Sequence, residues 1–137
     1  MAESDFDFWL GHWEVRWGKD ARGTNRIRKV LGGRVLLEEF DGSPGIALQG
    51  MSFSVYDPVE SRWRQTWVDS VSNYLVFEGA LREDGAMELR GTRGDEFVRM
   101  VWLDIEDESL RWLWERSPDG GSSWDTMWEL TYARLAA

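Results

Sequence analysis

From residue 12 onward, apolar and polar side chains alternate with a period of two in almost every stretch, and clusters of Gly, Asp, Asn, Ser and Pro separate the runs. This is the pattern of short antiparallel strands, each with one buried face and a tight turn at its end. It predicts about ten strands, over 12–18, 25–30, 34–41, 46–56, 62–69, 73–81, 86–92, 96–105, 109–117 and 125–135, joined by Asp-Gly, Gly-Gly or Asp-Pro connections. Strands linked by successive hairpins form a meander, and one this long closes because closure removes the two edges that would otherwise pair with other chains. The expected fold is therefore all-β: a single up-and-down antiparallel β-barrel spanning residues 1–137 as one domain. Only the first dozen residues depart from the pattern. Ser4 or Asp5 can cap, Asp7 suits a positive first turn, Phe6, Trp9 and Leu10 share a face and Gly11 can end the segment, which predicts a short N-terminal helix lying across one end as a lid.

Parity assigns faces, because a one-residue slip would move every side chain to the other side. Trp63, Gln65 and Trp67 alternate with Arg62, Arg64 and Thr66, and Leu110, Trp112 and Trp114 alternate with Arg111, Leu113 and Glu115. The first member of each set is expected to point inward. Trp13, Val15 and Trp17 share one side of the first strand, and Trp128, Leu130, Tyr132 and Arg134 share one side of the last. In a closed barrel these two strands meet, so Trp13 can plug the base while Arg134 covers it by cation–π contact. Val35-Leu36-Leu37 and Met100-Val101-Trp102 are apolar on both sides. They predict an outward apolar surface that a lid or a second subunit covers, and so a homodimer as one possible assembly.

Phe6-Asp7-Phe8-Trp9-Leu10-Gly11-His12-Trp13-Glu14-Val15, then Tyr56-Asp57-Pro58 with Trp63-Arg64-Gln65-Thr66-Trp67-Val68-Asp69, then Trp114-Glu115-Arg116-Ser117-Pro118-Asp119-Gly120-Gly121 with Trp124, together resemble the bacterial DUF1579 family over essentially the whole chain. That family is similar to the calycin superfamily of lipocalin-like barrels, whose Gly-x-Trp and closing-Arg signature the Gly11-His12-Trp13 and Arg134 pair resembles. The resemblance implies a fold and carries no activity with it, so function has to be argued from the site.

Charge and composition narrow the partners. With 16 Lys+Arg against 25 Asp+Glu the net charge is −9, a field that repels phosphate backbones and anionic lipid. Nucleic acid and membrane are not expected partners. The acidic Met1–Asp5 start lacks an apolar core of signal-peptide length and no stretch reaches a membrane span, which predicts a cytoplasmic protein. There are no cysteines and His12 is the only histidine, so disulfides and thiolate chemistry are excluded and no metal or cofactor is expected. His12 has the parity opposite to Trp13, away from where an axial haem ligand would sit. Ser117-Pro118-Asp119-Gly120-Gly121-Ser122-Ser123-Trp124 fits the Asp-box pattern in a single copy, which reads as a hairpin turn organised by Asp119.

Two features carry candidate chemistry. Ten tryptophans are far more than a chain of 137 residues ordinarily holds, and aromatic walls with a few placed polar groups suit an apolar small-molecule pocket. The same rings could instead fill the barrel solidly. Glu38 and Glu39 stand inside a strand, so one of them shares a side with apolar residues and requires a partner. Arg99, between Val98 and Met100, is the natural candidate and Arg28 the second. The expected site is thus Trp67, Trp112 and Trp114 around a small hydrophobic or aromatic ligand, oriented by Gln65 and a Glu38/Arg99 pair. Two other readings remain: an enzyme using Glu38 as a base in the same cavity, and a dimeric structural protein with a filled barrel.

Overall fold

A computed structural model describes residues 2–136. Ten strands follow one another: β1 (Gly11–Trp17), β2 (Ala21–Val30), β3 (Val35–Asp41), β4 (Gln49–Asp57), β5 (Arg62–Asp69), β6 (Tyr74–Leu81), β7 (Met87–Arg93), β8 (Glu96–Leu103), β9 (Ser109–Ser117) and β10 (Asp125–Arg134). Each pairs antiparallel with its sequence neighbour, and β1 pairs with β10 to close the barrel. The closing register sets Trp13 directly opposite Arg134. The expected meander and closure are both present. The strand expected from residue 46 begins at Gln49 instead, because Gly42, Ile46 and Leu48 bond among themselves in a compact turn (Gly42 N to Leu48 O 2.8 Å, Ile46 N to Gly42 O 2.8 Å).

The N-terminal segment consists of two 3-10 turns, Ala2–Ser4 and Asp7–Trp9, the second preceded by Phe6 with no side-chain cap. It is held by packing. Phe6 and Trp9 are fully buried and stacked at 4.9 Å, and Phe6 meets the edges of Trp63 and Trp102. Burial of each of these side chains contributes about 2–3 kcal/mol. The Trp13 indole donates to Trp9 O at 2.9 Å. Arg134 lies 4.0 Å from the Trp13 ring centre and donates to Leu10 O at 2.7 Å and Asp107 O at 2.9 Å. Gly11 makes this possible: its φ is +135°, and a Cβ there would stand 2.2 Å from Arg134 Nη1. The segment therefore plugs one end of the barrel.

The outer surface departs from expectation. Leu37 and Val101 point outward yet are only 7% and 2% exposed, with cross-strand neighbours of the same chain beside them, Arg28 and Phe53 at Leu37 and Glu88 and Leu113 at Val101. The apolar side chains that do face solvent form another stripe, with Met51, Phe53 and Val55 on β4 beside Val68, Tyr74 and Val76. The stripe exists because β4 is inverted: its buried positions are Gly50, Ser52 and Ser54. Among the described residues no helix is long and apolar enough to cross a membrane.

Candidate functional site

The inversion of β4 leaves room inside. Gly50 has no side chain, and the Trp67 ring lies so close that a Cβ would be 2.1 Å from it. Ser52, paired between Glu38 and Trp67, projects little, and those two neighbours line a cavity of about 150 Å³. Its wall is aromatic: Phe40, Trp67, Trp112, Trp114, Trp128 and, deeper, Trp102. Trp128 is met edge-on by Trp17, Trp112 and Phe40 at centroid distances of 5.2, 5.8 and 6.2 Å, which fixes the wall without collapsing it. The mouth lies away from the N-terminal plug, where Asp69, Asn73 and Arg93 form a polar rim. Asp69 accepts from Trp67 Nε1 and Asn73 Nδ2, each at 2.9 Å. Burial alone would raise its carboxyl, but these bonds from Asn73 and Trp67 hold it below the ordinary value.

Two polar groups, Glu38 and Tyr132, line the inner part of the cavity. Parity on β3 puts Leu36, Glu38 and Phe40 inside and Glu39 outside, where Arg28 reaches it at 3.4 Å. Glu38 Oε1 accepts from the Ser52 hydroxyl at 2.7 Å and Oε2 from Asn25 Nδ2 at 2.8 Å. The same Asn25 nitrogen donates to the Tyr132 hydroxyl at 2.8 Å. Among the described residues no cationic side chain pairs with Glu38. Burial pushes its carboxyl up to about 7, against the opposing pull of the Ser52 and Asn25 hydrogen bonds. Tyr132 is also raised above its ordinary value, by burial and by the nearby Glu38.

The expected Glu38–Arg99 pair is not formed. Arg99 is flanked by the inward Val98 and Met100, so the strand period turns it outward, where Nε donates to Glu115 at 2.8 Å and Nη1 to Glu88 at 3.4 Å. Its guanidinium lies 4.1 Å from the Trp124 ring centre, with Arg90 also over that ring at 5.2 Å. Trp67, Trp112, Trp114 and Glu38 come together around the cavity. Gln65 is buried inside the barrel but in the adjacent layer, donating to Ser54 at 3.0 Å, and does not line the cavity. Trp13 and Arg134 belong to the plugged end.

Sequence reasoning missed Asn25, Ser52, Phe40, Trp128 and Tyr132. Trp128 and Tyr132 carried a signal in sharing a parity with Leu130 and Arg134; Asn25 and Ser52 carried none, being small polar residues in polar surroundings. The Asp-box segment is a turn: Asp119 accepts from the Ser123 hydroxyl and amide and from the Ser117 hydroxyl, which hold it down to about 2. His12 lies on the face of β1 opposite the buried Trp13. Among the described residues no group of three or more His, Cys, Asp or Glu side chains is placed to hold a metal ion.

Comparison with known proteins gives one family. No curated protein matches the chain. A family model described as "Protein of unknown function (DUF1579)" matches residues 9–134, from the Trp9 of the plug to the closing Arg134, and the chain belongs to that family.

Proposed function

We propose that this protein binds a small apolar or aromatic molecule inside its barrel, with Trp67, Trp112 and Trp114 as walls and Glu38 at the floor. The observation that carries this reading is the aromatic cavity of about 150 Å³ beneath a polar rim. An apolar cavity of about that volume takes one benzene-sized ring. The inverted β4 supports it, since larger inward residues at Gly50 and Ser52, which stand between lining residues, would intrude on the space, and their smallness comes with an exposed apolar stripe. Native mass spectrometry of freshly purified protein tests the reading together with tryptophan fluorescence titration using benzyl alcohol. A retained small mass or a saturable fluorescence change that Trp112→Ala and Trp67→Ala weaken supports it. An unoccupied chain whose fluorescence does not saturate contradicts it.

A second reading, catalysis, is favoured by one observation: Glu38 has no counter-charge, and burial poises its carboxyl at about 7, the range in which a general base works best. On a one-ring ketone, Glu38 would take a proton from the α-carbon, the C–H electron pair would pass into an enolate, and the Tyr132 hydroxyl would hold the oxygen. Return of a deuteron from heavy water would give labelled ketone. Label entering the methyl group of acetophenone faster with wild-type protein than with Glu38→Gln supports this reading; equal rates contradict it.

A further inference from the structure

The charge at the cavity floor is unbalanced. Three lining residues carry charge, Glu38 inside and Asp69 and Arg93 at the rim, so the lining set has two carboxylates and one guanidinium. Arg93 is engaged at the rim, donating to Asn73 Oδ1 at 3.2 Å. Glu38 has neutral partners only, Ser52 and Asn25. Each of its oxygens accepts one hydrogen bond and has capacity for a second. A buried carboxylate without a cation is costly, and supplying the cation removes most of that cost.

The walls favour the same charge. Trp67, Trp112, Trp114 and Trp128 surround the space above Glu38, and indole faces attract cations. An anionic ligand would place a second negative charge against Glu38. A neutral ligand would leave the carboxylate unpaired whenever it is ionised. The Tyr132 hydroxyl on the same wall is already engaged by Asn25 and Trp9, which leaves Glu38 as the acceptor for a ligand N–H group.

Resting on the reading of the cavity as a ligand site, we propose that its ligand is a compact organic ammonium: one aromatic or similarly sized apolar body carrying a primary or secondary amine whose N–H groups bond the Glu38 carboxylate. The amine replaces the arginine that the fold sends to the outer face. Of the groups facing Glu38, Asn25 on β2 and Ser52 on β4 do not titrate, and Tyr132 on β10 stays neutral. At the rim, hydrogen bonds from Asn73 and Trp67 hold the Asp69 carboxyl below its ordinary value, and Arg93 lies beside Asn73. Glu38 is therefore the group whose charge sets the pH dependence.

Calorimetric titration of the full chain with benzylamine, benzyl alcohol and benzoate tests this at about pH 8 and about pH 5.5, on either side of the Glu38 transition. Benzylamine is expected to bind roughly tenfold tighter than benzyl alcohol at the higher pH, benzoate weakest of the three, and the amine's advantage to shrink at the lower pH. In Glu38→Gln the ratio of amine to alcohol affinity should fall toward unity, whatever the change in the alcohol's own affinity. Equal binding of amine and alcohol, or an advantage that survives both low pH and the substitution, overturns the ammonium and leaves the cavity reading intact. Failure of all three compounds and of toluene overturns the cavity reading itself. The pH comparison uses only wild-type protein, so it decides even if the variant does not fold.

Discussion

Glu38 and Tyr132 accept hydrogen bonds from one and the same nitrogen, Asn25 Nδ2, each at 2.8 Å. This bridge fixes an acid and a phenol side by side on the cavity wall without either having a charged partner. Its energetic consequence follows from the raised carboxyl of Glu38, from 4.5 to about 7. The folded state keeps the Glu38 proton more tightly than the unfolded chain, so this group's contribution to stability is greatest below about 4.5, falls as pH climbs, and levels off above about 7. The loss attributable to Glu38 is about 3 kcal/mol. Glu38→Gln should remove it: the new amide's oxygen can accept from Asn25 Nδ2 and its nitrogen can donate to the Ser52 hydroxyl, with no charge to desolvate. The stability difference between variant and wild type, from urea denaturation at a series of pH values, should grow in the variant's favour between about pH 5 and pH 8. A constant difference would show that Glu38 does not titrate in this range.

Trp67 occupies the place that a side chain at position 50 would need. Gly50→Ala puts a methyl group about where the ring stands, 2.1 Å away, and the backbone on which it sits is locked in the ladder between Phe40 and Asp69. The ring has to move into the cavity. The variant should lose about 1–3 kcal/mol of stability, change its near-UV circular dichroism, and bind one-ring compounds more weakly. Unchanged dichroism and binding would mean that Trp67 does not depend on the missing side chain.

The plug depends on Arg134. Arg134→Ala removes the cation–π contact with Trp13 and the donors to Leu10 O and Asp107 O, a loss of about 2 kcal/mol for a partly exposed group. The urea midpoint should fall accordingly, and Gly11→Ala should lower it too, since its Cβ would collide with the same guanidinium. Ligand affinity should change little, because the plug and the mouth are at opposite ends. An unchanged midpoint in both variants would contradict the closing role.

The barrel could be read from the chain because most strands follow the usual rule, large apolar side chains in and charges out, as in Trp63 to Trp67 and Leu110 to Trp114. Trp13 and Arg134 were legible for the same reason: in a closed meander the first and last strands must meet. The cavity was not legible, since it depends on a strand that breaks the rule. On β4 the alternation is as regular as anywhere, but Met51, Phe53 and Val55 point to solvent and small residues point in; hydrophobicity alone selects the wrong face. Arg99 fails differently. Flanking apolar residues suggest an apolar neighbourhood, yet a strand residue between two inward side chains necessarily points outward. Glu38 was recognisable as a buried carboxylate, and its true partners, Asn25 and Ser52, come from β2 and β4, whose contribution depends on register rather than on composition.

The central claim is that the barrel is hollow at its open end and takes a ligand there. Leu75 lines the cavity near the rim, so Leu75→Trp should fill the space from the mouth while leaving the plug untouched. Calorimetric titration of wild type and Leu75→Trp with toluene measures the claim most directly. Saturable one-to-one binding to wild type, lost in a Leu75→Trp protein of native circular dichroism, is the expected result; no binding to wild type, or equal binding to both, would contradict the account.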